Sequence, residues 1–330
     1  MRYLSRPRMM NMELTTACPL RCPQCYVSLD RVREMPLSVA KKYLRDGAAN
    51  GIKYVNLAGG ETLAYPHLDE VVQECRRLGL ESAAAVSGAY AGRERLGRLI
   101  AAGVDEIYVS LNGSTEEVNR RTRDGYQAAV QAIVLLKELG FANTWINFVV
   151  HSVNAADLPS MAALGESLGV RGIALLALKP DSSHALNAYP TACQLRSLAR
   201  FIKDYRGPLV LATEPCFSPL LALLGEGFFL NRNAGIERGC TAGRDMIAVT
   251  AEGRLAPCRH IETAEDFSDI KSYWENSAVL RSLRQVEDRR EPPCLGCRYE
   301  KHCLPCMAAG LKLTGKLPCG WQECPLAGEG

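Results

Sequence analysis

Between residues 9 and 205 the chain alternates short apolar runs with amphipathic helical ones, six times in succession. The strand-like runs are Met9–Thr15, Tyr54–Leu57, Ser82–Val86, Glu106–Leu111, Trp145–Val150 and Gly172–Leu178. Helical patterns follow each in turn, over Leu37–Asn50, Leu68–Leu78, Arg93–Ala102, Gln127–Leu139, Leu158–Leu168 and Thr191–Tyr205. A strand and a helix repeating at intervals of about 30 residues predict parallel βαβ units, hence a barrel or open sheet. Glycines just past five of these helices (Gly51, Gly79, Gly103, Gly140, Gly169) fit left-handed helix ends. No short repeat underlies the periodicity, so a solenoid is not expected.

In folds of this kind functional residues collect at the C-terminal ends of the strands. That rule brings scattered residues to one cavity. The Cys18–Tyr26 loop follows strand one, Gly59-Gly60-Glu61 strand two, and Ser87-Gly88 strand three. Ser110 and Asn112 end strand four, His151 and Asn154 follow strand five, and Lys179 and Pro180 strand six. The loop after strand one reads Cys18-Pro-Leu-Arg-Cys22-Pro-Gln-Cys25, a C-x3-C-x2-C spacing. Three thiolates on one tight loop can hold three irons of a [4Fe–4S] cube and leave the fourth open. The alternative is three structural thiols or part of a zinc site.

Beyond residue 205 the regularity ends. Nine prolines fall between Pro208 and Pro325, and eight of the fourteen cysteines lie from Cys240 onward. We expect a first domain over 1–205, a linking stretch over 206–237 and a smaller cysteine-rich domain over 238–330. Met246–Thr250 and Arg254–Pro257 read as a hairpin turning at Glu252-Gly253. A net charge of +3 does not call for nucleic acid. No apolar run reaches the roughly 18 residues of a membrane span, and the basic N-terminus lacks the apolar segment of a signal peptide. The expected location is cytoplasmic, where many cysteines in a large chain mean metal or catalysis.

The cysteine loop resembles the signature of the radical S-adenosylmethionine (SAM) superfamily, with Gln24 where that family often has an aromatic residue. The resemblance implies a partial (β/α)6, TIM-like α/β barrel, with catalysis at Cys18, Cys22 and Cys25 and the fourth iron chelated by SAM. Gly59-Gly60-Glu61 resembles the family's Gly-Gly-Glu motif, implying contact with the SAM ammonium. Ser110-Leu111-Asn112-Gly113 is similar to its Ser-x-Asp-Gly segment, implying SAM contacts at Ser110 and Asn112. Arg123, or else Arg121, would clamp the SAM carboxylate. The implied reaction is reductive cleavage of SAM to a 5′-deoxyadenosyl radical that abstracts a substrate hydrogen, fed by an external electron donor.

The later cysteines resemble the SPASM extension of that superfamily, which binds two auxiliary [4Fe–4S] clusters. By that resemblance Cys240, Cys258 and Cys306 hold one cluster, with Cys216 as its fourth ligand or none. Cys294, Cys297 and Cys303 hold the other with a late cysteine, for which Cys324 fits better than Cys319. The competing reading is zinc, since Cys294–Cys306 alone could make a four-cysteine site. Cys75 reads as a buried thiol, and Cys193 as core or as a hydrogen-atom donor near the cavity. His260 and His302 lie near these cysteines as possible surrogate ligands, and Trp274, Tyr299 and Trp321 read as packing around them.

Twin-cluster members of the family mostly modify peptides, so the expected function is modification of a ribosomally made peptide or protein by crosslinking, epimerisation, excision or oxidation. Barely ten residues precede strand one, so a separate protein would supply leader-peptide recognition, or the cavity would bind the peptide directly. The alternatives are a radical SAM enzyme acting on a small molecule, and a non-catalytic iron–sulfur or zinc protein.

Overall fold

The computed structural model describes residues 3–179, 188–225, 228, 239–316, 321 and 324–327. Its centre is one sheet of nine strands in the order β7-β6-β5-β4-β3-β2-β1-β8-β9. The chain runs β1 (Met9–Thr15), α1 (Leu37–Ala49), β2 (Tyr54–Gly59), α2 (Leu68–Arg77), β3 (Glu81–Val86), α3 (Arg93–Ala102) and β4 (Glu106–Ser110). It continues through α4 (Glu116–Arg120), α5 (Tyr126–Glu138), β5 (Thr144–Val150), α6 (Leu158–Leu168), β6 (Gly172–Ala177), α7 (Ala192–Asp204) and β7 (Val210–Thr213). Strands β1 to β7 pair in parallel in sequence order. This is the open α/β barrel that the alternation predicts.

The two faces of the sheet differ in what they bury. Met10, Met12 and Leu14 of β1, Val55 and Leu57 of β2 and Ile107 and Val109 of β4 are buried in one large core with helix residues such as Leu44, Val72 and Leu99. The opposite face is plugged toward the strand starts by Tyr108, Trp145, Ala83, Ala174 and Ala212, with Tyr108 and Trp145 stacked at 5.8 Å. Beside that plug the same face turns polar across β2 and β1: Asn56, in register with Ala83, donates its Nδ2 to Asn11 Oδ1 at 3.0 Å.

Two findings differ from the sequence reading. The stretch expected to link two domains contains β7, a seventh parallel strand bonded to β6, and α8 (Ser218–Leu224). The hairpin β8 (Met246–Val249) and β9 (Leu255–Ala256) does form, with its turn at Gly253 (φ +77°). It does not stand in a separate sheet, because β8 pairs in parallel with β1 from Met9–Met246 to Met12–Val249. The cysteine-rich part, which also holds α9 (Ile270–Asn276), α10 (Ala278–Arg284) and α11 (Met307–Thr314), is thus bonded to the strand that carries the first cysteine loop.

Candidate active site

The site is built outward from the end of β1. Thr15 and Ala17 offer their carbonyls to the N–H groups of Gly60 and Glu61, both at 2.7 Å. A Cβ on Gly59 would stand 2.1 Å from Thr15 O, and one on Gly60 2.4 Å from Ala17 O. The close approach that these glycines permit is to the root of the cysteine loop. Glu61 is fully buried and its carboxylate accepts from Leu63 N (2.9 Å), Ser87 N (2.7 Å) and Ser87 Oγ. The carboxylate expected to meet an ammonium group is here taken up in tying the β2 turn to the β3 turn.

The cysteine loop itself is tightly referenced. Cys25 N donates to Cys22 O at 3.0 Å, and Arg21 N to Asp124 Oδ2 at 2.9 Å. Gln24 is the loop's deepest anchor, its Oε1 accepting from Asn112 Nδ2 (2.9 Å) and His151 Nε2. Asn112 is wholly buried; it also donates to Thr122 Oγ1 at 3.0 Å and accepts from Val149 N at 3.0 Å. Its amide braces Gln24, Thr122 and β5 at once, so in the structure it acts through the loop. Asn154 completes the brace by accepting from His151 N at 2.7 Å. Burial pushes the His151 pKa down to about 4, so its ring is neutral beside Gln24.

Ser110 lies half-buried at the end of β4, paired in register with Asn147. Arg123 is held at its backbone by Asn119, and its buried Nε has no hydrogen-bond partner among the described residues. Its charge favours the Cys25 thiolate, whereas Arg121 is 47 % exposed at its side chain and paired with Glu117. Of the two arginines only Arg123 attends the loop. Burial raises the Cys18 and Cys25 thiol pKa values. Thiolates become favourable there once a cation binds between them, because a coordinating thiol is deprotonated. The three cysteines of the loop, with the orphaned Arg123 Nε, have the donor set of a cluster held by three thiolates whose remaining ligand is anionic.

The structure gathers the remaining cysteines into two groups. Cys216 hydrogen-bonds to both Cys240 and Cys306, holding its own proton and favouring the ionised forms of its neighbours, and Cys258 interacts electrostatically with Cys240 and Cys306. Cys294, Cys297, Cys303 and Cys324 line one small cleft of about 30 Å³. Cys306, at the start of α11, therefore leaves the Cys294–Cys303 run and joins the other group. Backbone N–H groups reach the sulfurs of Cys258 (from His260, 3.4 Å), Cys297 (from Tyr299, 3.5 Å) and Cys294 (from Trp321, 3.5 Å). Hydrogen bonds of this kind tune cluster thiolates. Among the described residues no three His, Cys, Asp or Glu side chains converge on one ion position, so the groups offer proximity without a finished coordination sphere.

Cys75 is buried in α2, with its pKa pushed up to about 12. Cys193 is exposed on α7, so it is not a core thiol. Lys179 points to Glu214 and adjoins Cys216 and Cys306. Trp274 donates to Leu4 O at 3.3 Å, and Trp321 packs edge-on to Tyr189 at 4.8 Å. Pro180 and Cys319 lie outside the described residues.

The sequence reading missed the junction between the two cysteine regions. Tyr26 donates to Glu13 Oε1 at 3.2 Å, meets the His260 ring at 4.4 Å and lies 5.7 Å under the Arg259 guanidinium. Tyr26 follows Cys25, and Arg259 and His260 follow Cys258, so adjacency to cysteines was the available signal. A cavity of about 820 Å³ opens here, walled by Tyr26, Val27 and Ser28 on one side and by Ala256, Cys258 and Arg259 on the other.

Comparison with known proteins places this geometry. Over 328 residues the chain is 29% identical to the PqqA peptide cyclase of Gluconobacter oxydans, covering 94% of this chain and 88% of that protein. It is 26% identical to the AdoMet-dependent heme synthase of Methanosarcina barkeri over 331 residues, covering 94% and 93%. The fold matches that of Streptococcus suis SuiB bound to precursor peptide SuiA with a TM-score of 0.79 and 17% identity, over 99% of this chain and 77% of SuiB. Residues 12–164, which run from β1 through the cysteine loop to α6, match the Radical SAM superfamily, and this part of the chain is a radical SAM domain.

Proposed function

We propose that this protein is a radical SAM enzyme that modifies a ribosomally made peptide, with its SAM-binding cluster at Cys18, Cys22 and Cys25. When bound, that cluster and SAM supply a reductively generated 5′-deoxyadenosyl radical for hydrogen abstraction. Arg123 would hold the SAM carboxylate through its unpartnered Nε, and Ser110 and the Gly59-Gly60 backbone would line the SAM site. Gln24, held by Asn112 and the neutral His151, fixes the loop's orientation. Cys216, Cys240, Cys258 and Cys306 would carry one auxiliary cluster, and Cys294, Cys297, Cys303 and Cys324 the second, in a SPASM-type region that begins after β7. The described cysteines are all free thiols, which suits a reducing, cytoplasmic setting.

The observation that carries this reading is the cavity of about 820 Å³ between the Cys25 loop and Cys258, large enough for a peptide segment and bordered by both cysteine regions. Likeness to PqqA peptide cyclase over nearly the whole chain supports a peptide substrate. The similarity to a heme synthase favours a second reading, a small molecule in the same cavity.

Anaerobic reconstitution tests both the clusters and the substrate. Three cubes predict about twelve irons per chain, falling by about four in Cys306→Ala or Cys324→Ala. Reduction with SAM should yield 5′-deoxyadenosine, and the C18A/C22A/C25A variant should yield none. Mass spectrometry of short peptides encoded beside the gene should show a modified residue. About four irons would remove the auxiliary clusters, and SAM cleavage with every such peptide untouched would favour the small-molecule reading.

A further inference from the structure

The walls of the large cavity are unevenly charged, and one half-buried cation among them makes no hydrogen bond or ion pair with a described residue. Arg33 is paired with Glu252 at 2.8 Å and Asp30 at 3.3 Å. Glu13 is engaged by the Tyr26 hydroxyl at 3.2 Å. Arg31, Arg254 and Glu262 are exposed at the rim. Arg259 differs from all of these. It is half-buried, lies over the Tyr26 ring and makes no hydrogen bond or ion pair with a described residue. Its backbone immediately follows Cys258, at the wall between the two cysteine regions.

A guanidinium resting on an aromatic face has already given up much of its rotamer freedom, yet it keeps its planar fork of donors. That arrangement suits a carboxylate, which the fork can grip through two parallel hydrogen bonds. A multiply charged anion suits it less, because Glu13 and Glu252 share the cavity. We propose that Arg259 is a specificity-determining residue that binds a carboxylate of the substrate, the side chain of an acidic residue or the C-terminus of a peptide, and so sets it between the Cys25 loop and Cys258. The proposal rests on the peptide reading above and names the chemistry by which that substrate is held.

The test uses the cluster-loaded, SAM-bound protein and two small probes, glutarate and its neutral isostere glutaramide, followed by saturation-transfer NMR. Glutarate should bind at least about tenfold more tightly than glutaramide. Arg259→Gln should abolish that preference and Arg259→Lys should keep only part of it, while the exposed Arg98→Gln should leave it unchanged. Iron content confirms that each variant is folded and loaded; if Arg259→Gln fails to load, the partial loss in Arg259→Lys decides. Equal binding of the two probes, no binding of either, or an undiminished glutarate preference in both Arg259 variants would overturn the assignment. Indifference to glutarate in an enzyme that still modifies a peptide sinks Arg259 alone. Absence of SAM cleavage or of peptide modification sinks the broader reading instead.

Discussion

His151 shows how a residue outside any motif can govern one inside it. It reaches Gln24, in the middle of the cysteine loop, from the end of β5, and does so as a neutral ring. Its pKa is depressed from 6.5 to about 4 in the folded protein. Protonation is thus easier in the unfolded chain, and the stabilisation is complete above about pH 6.5 and lost as pH falls toward 4. The expected loss is on the order of 2–3 kcal/mol. Urea unfolding midpoints between pH 7 and pH 4 should fall more steeply in the native protein than in His151→Gln; parallel curves would contradict this. The same site shows the limit of reading residues singly. Cys18, Cys22 and Cys25 stand out in the sequence because three thiols at that spacing have few other uses. Glu61 and Asn112 were expected to contact SAM, and the sequence does not disclose that Ser87, Gln24 and Val149 engage their polar atoms.

At the scale of elements, the six strand–helix units were readable nearly to the residue, because a strand of period two and a helix of period 3.6 leave distinct apolar patterns. β7 escaped notice: it has four residues, Val210–Thr213, close behind Gly207-Pro208. The pairing of β8 with β1 escaped for another reason, since two strands more than 200 residues apart leave no periodic trace. The turn after β2 shows what an element demands of one position. Gly60 has an ordinary φ, so its requirement is spatial: a side chain would meet Ala17 O at 2.4 Å and Thr16 O at 2.6 Å. Backbone cannot move aside as a flexible side chain would. Gly60→Ala should therefore cost about 1–3 kcal/mol in denaturant unfolding, toward the upper end, and should loosen iron retention by the adjacent loop. An unchanged midpoint and unchanged iron content would show that the turn has room to spare.

The whole molecule depends on β1 being an interior strand. Met9–Met12 pair with β2 on one side and with Met246–Val249 on the other. Cutting the chain after residue 238 would turn β1 into an unpaired, methionine-rich edge, which invites pairing with other copies. The 1–238 fragment should elute as aggregates or as a dimer in size-exclusion chromatography, and a stable monomer would show that β8 is dispensable. The cysteine groups are joined just as closely. Cys303 lines the cleft with Cys294, Cys297 and Cys324, while Cys306 meets Cys216 and Cys240. Between them Leu304 is buried, its carbonyl accepting from Ser218 Oγ and from Cys240 N. Three residues of chain reach at most about 10 Å, so the two groups share a tether too short for either to drift alone. With a cluster in each group, as proposed above, losing one would pull on the other, and the pair would be a single point of failure.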